Sequence, residues 1–418
     1  MKLKRLIQKF KNYCWHLPKA FFYNFYYGFP SKQLILIGIT GTDGKTTTTN
    51  LLYHLLTNAG YHTAIISTLG SQIGDQNIST GLHVTSPDSS VTQKLFRQMV
   101  DSGITHAIVE VTAHAIDQHR FFGCHFQIAG ITNTSHEHLD EFGTEEKYVQ
   151  TKTELLTHSD FSILNADDPS FDFIKSKLSS VGATYGIKKK SDYQAKDIMI
   201  NSRWLIFNTQ QLKFKTDSNY HYQIYNILLA FIISQKLGID NHVFLKTIYH
   251  FPEIKGRREE VNNDLKIRAI IDFAHTPAAL EKTLESLRST TRGKLIVIFG
   301  ATGGRDPSKR PQMGLVVSQN ADIAYITSDD TRQEKIENIN QQIISGIDEK
   351  RLKTGKFVYY NLPNRQDAFN EAIKISQPGD TVIACGKGHE TTILIGSTEY
   401  PWSEAEAFRT AFRHRQNL

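Results

Sequence analysis

Along this chain, short runs of apolar residues stop abruptly at clusters of polar side chains. Between the runs, apolar residues recur at helical spacing. The runs cover residues 34–39, 106–109 before Glu110, 126–131 before Thr132-Asn133, and 161–164 before Asn165-Ala166-Asp167-Asp168. They continue at 268–271 before Asp272, 294–299 before Gly300, 324–326 before Thr327-Ser328-Asp329-Asp330, and 381–384 before Cys385-Gly386-Lys387-Gly388-His389-Glu390. Runs that do not alternate predict parallel strands buried on both faces. In open α/β sheets ligands bind beyond the carboxyl ends of the strands, which is where these polar clusters fall.

Helix signals support the alternation. Thr276-Pro277 predicts an N-cap and a proline in the first turn of the helix that follows, and Ser403-Glu404-Ala405-Glu406 reads as a capping box. Residues 186–222 are polar and lysine-rich, which predicts short antiparallel strands or loops, and residues 252–258 interrupt both periodicities. The expected fold is α/β: a P-loop central domain with a mostly parallel sheet, plus a C-terminal Rossmann-like α/β domain. The expected division is an N-terminal extension over 1–33, a nucleotide-binding domain over 34–255 and a last domain over 256–418.

The first run leads into Thr40-Gly41-Thr42-Asp43-Gly44-Lys45-Thr46-Thr47. Strand, glycine loop, Lys-Thr and helix are the parts of a phosphate cradle: backbone N–H groups close on phosphate oxygens, Lys45 supplies a point charge and the Thr46 hydroxyl suits Mg²⁺. The strict P-loop spacing would put glycine where this chain has Ile39, so the loop is a variant.

Composition narrows the class. With 418 residues, 39% hydrophobic and 22% charged, the chain fits two or three globular domains. Its longest apolar run, residues 227–233, is too short for a transmembrane helix. Three scattered cysteines, Cys14, Cys124 and Cys385, fit a reducing cytoplasm better than a disulfide framework or zinc ribbon. The net charge of +6 sits in residues 1–42, which hold seven basic residues and no acidic ones; the other 41 basic and 42 acidic residues nearly cancel. The body therefore gives no case for nucleic-acid binding. The leader shows Leu3, Ile7, Phe10 and Cys14 at helical spacing, then Phe21-Phe22-Tyr23-Asn24-Phe25-Tyr26-Tyr27. Two readings stay open for it: a weak anchor on anionic lipid, or a helix packed on the nucleotide-binding domain with its lysines in water.

Taken together, the motifs resemble the Mur ligase family, and within it the UDP-N-acetylmuramoyl-tripeptide synthetases. The resemblance runs from about residue 34 to the C-terminus. It is carried by the cradle, Val84-Thr85-Ser86-Pro87-Asp88, Glu110-Val111-Thr112-Ala113-His114-Ala115, Thr132-Asn133-Thr134-Ser135-His136-Glu137-His138-Leu139-Asp140 and Tyr148-Val149-Gln150-Thr151-Lys152. Further on stand Asn165-Ala166-Asp167-Asp168, Tyr225-Asn226, Gly256-Arg257, Asp272-Phe273-Ala274-His275-Thr276-Pro277 and Gly386-Lys387-Gly388-His389-Glu390. The family forms an acyl phosphate from a carboxylate and ATP, and an amine then displaces phosphate. The resemblance implies ATP and Mg²⁺ as cofactors, with Thr46 and Glu110 on a first ion and His138 with a carbamate on Lys152 on a second. Lys45, Glu110, His138 and Lys152 are thus the catalytic candidates.

The resemblance also assigns Gly41, Thr42, Asp43, Gly44, Lys45, Thr46, Thr47 and Asn133 to the phosphates and Asn226 to adenine. Arg257 and Asp272 would reach ATP when a hinge near residue 255 closes. Thr85, Ser86, Thr112, Gln118 and Arg120 match positions that hold a UDP-linked muramoyl peptide. Arg305, Asp329, Asp330, Arg332, Gly386 and Glu390 match positions that hold a diamino acid. The family's specificity stretch Asp-Asn-Pro-Arg is here Asp329-Asp330-Thr331-Arg332. Arg332 favours meso-diaminopimelate through a bidentate grip on its distal carboxylate, whereas Asp330 would attract lysine. The family's UDP-gripping N-terminal domain has no counterpart in residues 1–33, so another surface or partner binds UDP, or the acceptor differs. The expectation is a cytoplasmic monomer acting on small molecules. Alternatives are a same-family ligase for another acceptor (folylpolyglutamate or poly-amino-acid type), a P-loop phosphotransferase or switch NTPase, and an inactive binding module.

Overall fold

The apolar runs are strands, and they assemble into two open sheets. The structure, a computed structural model, describes residues 8–78, 85–134, 142–201, 203–218 and 220–416. The chain divides into two units, Met1–Pro252 and Glu253–Leu418.

In the first unit the strands are β1 (Ile35–Thr40), β2 (Thr63–Ser67), β3 (Gly70–Ile73), β4 (Gln76–Ile78), β5 (His106–Glu110), β6 (Phe126–Ile131), β7 (Ser159–Asn165), β8 (Ala183–Gly186) and β9 (Tyr193–Gln194). They lie in the order β4-β3-β2-β5-β1-β6-β7-β8-β9. All neighbours are parallel except β3 and β4, which form an antiparallel edge. The helices are α1 (Leu17–Tyr26), α2 (Lys45–Asn58), α3 (Ser89–Asp101), α4 (Ala113–Asp117), α5 (Glu145–Thr157), α6 (Phe171–Lys177), α7 (Gln223–Lys236) and α8 (Asn241–Tyr249). Successive strand residues face opposite sides, and both sides are covered. Ile37, Ile39, Ile108 and Ile128 join the core of α2 and α7, while Leu36, Val109, Ala129 and Ile131 join that of α3 and α5. This double burial is why the runs are apolar throughout.

The longest apolar run of the sequence belongs to α7, which is buried along nearly all of its length. It packs between the large sheet and a small antiparallel sheet of β10 (Lys196–Ile200), β11 (Leu205–Thr209) and β12 (Leu212–Thr216). The lysine-rich stretch thus forms short antiparallel strands, whose inward Phe207 and Phe214 stack at 4.9 Å. Among the described residues no helix is long and apolar enough to cross a membrane.

Of the leader residues at helical spacing, Leu3 and Ile7 lie outside the described residues, and Phe10 and Cys14 are exposed. Residues 8–26 are helical throughout, with a π-helical segment at Asn12–His16. Pro18 explains the segment: it lacks an N–H and crowds the carbonyl four residues back, so the ladder locally widens.

In the second unit β13 (Arg257–Val261), β14 (Arg268–Asp272), β15 (Leu295–Phe299), β16 (Ile323–Ile326), β17 (Val358–Asn361) and β18 (Thr381–Cys385) lie in the order β13-β14-β18-β15-β16-β17, and β13 alone is antiparallel. A hairpin of β19 (Thr392–Ile395) and β20 (Thr398–Pro401) stands apart. The helices are α9 (Pro277–Arg288), α10 (Lys309–Asn320), α11 (Ile336–Ile344), α12 (Glu349–Lys353), α13 (Arg365–Ile375) and α14 (Glu404–Gln416). Thr276 caps α9 by accepting from Ala279 N at 3.2 Å, with Pro277 in the first turn. The capping box at α14 is half made. Ser403 Oγ accepts from Glu406 N at 3.4 Å, but the Glu406 carboxylate turns to Arg409.

Candidate active site

The loop after β1 is shaped by its surroundings as much as by its own sequence. Gly41 and Gly44 have φ of +142° and +82°, backbone that disfavours any side chain. A Cβ on Gly41 would run into Thr132 Oγ1, and one on Gly44 would sit 2.5 Å from Asn226 Oδ1. Asn133 brackets Asp43, accepting from its N–H at 3.0 Å and donating to its carbonyl at 3.1 Å. Two lysines reach the same turn from different elements. Lys45 Nζ donates to Thr42 O at 2.8 Å, and Lys152 Nζ, from α5, donates to Gly41 O at 2.6 Å. Lys152 is only 1% exposed, and its ammonium lies 4.4 Å from the centre of the Tyr148 ring one helical turn away.

Glu110 stands at the end of β5. Register sets it there, because Ile39 pairs with Glu110 across parallel strands. Thr46 Oγ1 donates to Glu110 Oε1 at 3.1 Å, while Thr68 gives its N–H and hydroxyl to Oε2, each at 3.0 Å. A hydroxyl and a carboxylate are hard oxygen donors of the kind Mg²⁺ takes, so the set fits that ion. Among the described residues no three His, Cys, Asp or Glu side chains cluster to hold a metal. His138 lies outside the described residues.

From Glu110 the network continues to the residues expected to hold the acceptor. The Thr68 and Thr85 hydroxyl oxygens lie 3.1 Å apart, and Ser86 Oγ donates to the Glu110 carbonyl at 2.9 Å. Ser86 and Thr112 hydroxyls are 3.2 Å apart, and Thr112 also caps α4. Arg120 holds Gln118 Oε1 with two N–H groups, at 3.1 and 2.8 Å, and also donates to the Ser86 carbonyl. Asn226, expected at adenine, has its Oδ1 accepting from Thr48 Oγ1 at 3.2 Å and its Nδ2 donating to Gln223 Oε1 at 2.7 Å.

In the second unit, the ends of β15, β16 and β18 gather the residues expected to read the amine. Lys387, fully buried, meets Asp330 Oδ1 at 2.8 Å and also contacts Glu390. Asp330 Oδ1 further accepts from Leu394 N at 2.9 Å, so its charge is matched inside the fold. Burial raises the Asp329 pKa, but Lys387 and Arg365 outweigh it and hold the carboxyl below its ordinary value. Gly386 lies against the Asp329 carboxylate. Arg332 lines a cavity of about 690 Å³ with Glu334, Glu337, Tyr400 and Trp402, and among the described residues its guanidinium makes no hydrogen bond. Arg305 is exposed and does not line that cavity. Asp272 accepts from Arg258 N at 3.0 Å and Ala274 N at 2.9 Å, and the Arg257 guanidinium lies 4.4 Å from the centre of the Phe273 ring.

Three contributors were given no role from the sequence. Thr68 carries no local signal, since only folding brings β2 beside β5. Tyr148 was legible, because an aromatic four residues before a lysine on one helix faces it. Lys387 stands inside a quoted motif, but its partners lie 57 residues away at Asp330 and three away at Glu390.

The match to known proteins covers both units. The Mur ligase middle domain matches residues 39–234, and the Mur ligase glutamate ligase domain matches residues 256–388. The UDP-N-acetylmuramoyl-L-alanyl-D-glutamate--2,6-diaminopimelate ligase of Geobacillus kaustophilus is 33% identical over 93% of this chain and 81% of its own length. The ligase of the same name from Thermosynechococcus vestitus is 35% identical over 96% of this chain and 80% of its own length. A solved structure of an enzyme with that name aligns with a TM-score of 0.64 at 27% identity, over 92% of this chain and 79% of that one. The folylpolyglutamate synthase of Mycobacterium tuberculosis shares the fold, with a TM-score of 0.74 at 16% identity over 95% of each chain. With its β1 loop, strand-end residues and both units matched, the chain belongs to the Mur ligase family.

Proposed function

We propose that this chain is a cytoplasmic, ATP-dependent, ADP-forming amide ligase that joins meso-diaminopimelate to UDP-N-acetylmuramoyl-L-alanyl-D-glutamate. One observation carries the reading: Lys45 and Lys152 converge on carbonyls of the β1 loop while Thr46 and Glu110 present hard oxygens beside it. A carboxylate and a triphosphate repel one another, and the fixed charge of Lys45 with hydrogen-bond donors around the transferring phosphoryl group offsets that repulsion. Lys45 and the N–H groups of residues 41–47 bind the phosphates, and Asn133 keeps the loop in shape through Asp43. Mg²⁺ held by Thr46 and Glu110 would neutralise phosphate charge.

The acceptor, held by Thr85, Ser86, Thr112, Gln118 and Arg120, attacks the γ-phosphorus through a carboxylate oxygen. The bond to ADP breaks and an acyl phosphate forms. The amine then attacks the acyl carbon, phosphate leaves with the bonding pair, and the amine gives up a proton. We extend the proposal to Lys152 as a carbamate partnered by His138; an anion on so deeply buried a stem would serve a cation beside the cradle.

The amine is read by the second unit through Arg305, Glu390 and Arg332. Lys387 matches the Asp330 charge, so Asp330 does not select for a basic amino acid. Arg332 remains available to a distal carboxylate, which favours the diacid over lysine. The test supplies ATP, Mg²⁺, the UDP-linked dipeptide and either amino acid, and follows phosphate release with product mass. Release that requires both acceptor and diaminopimelate supports the proposal; hydrolysis indifferent to both would favour a switch NTPase and end it.

A further inference from the structure

The helical stretch over residues 8–26 is turned inside out. Its inward positions are polar or small: Asn12, Ala20 and Asn24 are 1–2% exposed. Phe10, Trp15, Phe21, Phe22, Phe25 and Tyr26 instead point outward, each 55–70% exposed. The inner side is specifically fastened, so the orientation is built rather than loose. Asn12 Nδ2 donates to Asp117 Oδ2 at 2.7 Å, Lys19 pairs with Asp88 at 2.8 Å, and Asn24 Nδ2 donates to the Phe122 carbonyl at 3.0 Å. Positions 21, 22, 25 and 26 share one helix face. Single exposed apolar residues need no explanation, but a contiguous aromatic face does.

We propose that this face docks on a membrane surface carrying anionic lipid. Aromatic rings beside lysines suit the headgroup boundary, where the rings enter the acyl region and the ammonium groups stay with phosphate. Charge chooses the occupant. Residues 1–42 hold seven basic residues and no acidic one, and exposed Lys9 and Lys11 flank Phe10. A second copy meeting this face symmetrically would set basic against basic. The fastenings at Asp88, Asp117 and Phe122 belong to the segments that carry Ser86, Thr112, Gln118 and Arg120. Docking therefore presents those segments next to the bilayer surface. The inference stands on the leader's own geometry and does not rest on the ligase reading.

The full chain is tested by co-sedimentation with vesicles of phosphatidylcholine alone or mixed with phosphatidylglycerol. One short helix gives reversible binding, so the expected result is partitioning at least about tenfold stronger on the anionic vesicles, falling as salt is added. F22S/F25S/Y26S should lose partitioning, and K9E/K11E should weaken it on anionic vesicles by about tenfold or more. Both variants should keep the unfolding temperature and phosphate release with soluble substrates. If a variant does not fold, quenching of Trp15 fluorescence by spin-labelled lipid in a W204F/W402F background tests the same contact. No partitioning of the unaltered chain, undiminished binding of the triple variant, or unquenched Trp15 would overturn the proposal. So would a stable dimer that the triple variant dissolves without any vesicle binding, which would assign the face to a second copy.

Discussion

The two sets of strand ends proposed to carry the chemistry are built on different electrostatic plans. At the ends of β1 and β5, Lys45 and Lys152 donate to carbonyls of the β1 loop, and the one carboxylate, Glu110, has its oxygens held by Thr46 and Thr68. At the ends of β16 and β18, acids and bases interleave: Asp329, Asp330 and Glu390 around Lys387, and Glu404 against Arg365 at 2.6 Å. A surplus of donors suits a ligand that is negative throughout, such as a polyphosphate. Four acids against two bases leave an excess of carboxylate, and the Arg332 guanidinium, which among the described residues makes no hydrogen bond, adds a cation; that mixture suits a zwitterion with a second carboxylate. The difference teaches that the informative charges in a buried site are those left over once internal partners are matched.

The comparison can be broken most decisively in the first unit. Lys45→Ala should lower phosphate release by about 10²–10³-fold or more, as loss of a fixed charge beside a transferring phosphoryl group does. Lys152→Ala should abolish turnover and, on the carbamate proposal, recover part of it when short carboxylates are added; steady-state rates with and without acetate check this. In the second unit, Arg332→Ala should raise the KM for diaminopimelate by about 10–100-fold while kcat changes less. If lysine is affected equally, the leftover-charge argument fails.

Smaller effects sharpen the picture. Asp330→Asn leaves Lys387 with one fewer anion and should cost about 1–3 kcal/mol of stability, read by denaturant titration, without conferring use of lysine. The smallest effect is a pH dependence. The bidentate hydrogen bonds from buried Arg310, at 2.6 and 2.8 Å, pull the Glu334 carboxyl from the usual 4.5 down to about 2. A depressed carboxyl stabilises above its unfolded pKa, so this contribution is full above about pH 5 and fades as pH falls through about 2. Glu334→Gln should flatten that part of the acid-stability curve.

Much of the fold was legible because doubly buried strands announce themselves. Residues 34–39 and 294–299 have no polar face to confuse with a helix. The cradle was legible for a related reason: Gly41, Gly44, Lys45 and Thr46 are local, so their spacing survives in the sequence. Register and partner choice were not legible. Asp167 and Asp168 end a strand as Glu110 does, yet Asp167 accepts from the N–H groups of Ile187, Lys188 and Lys189, and Asp168 from Thr134. They fasten loops. The leader stayed ambiguous for a physical reason as well, since aromatic residues at helical spacing mark a face without saying what covers it.

Asn226 ties the turn at Gly44 to α7, the helix most completely enclosed by the first unit. Its carboxamide makes the shape of the β1 loop, the proposed nucleotide cradle, a property of the innermost layer rather than of a surface segment. Heating should therefore show no interval in which the unit stays folded but has lost its grip on nucleotide. Affinity and cooperative melting would vanish at one temperature.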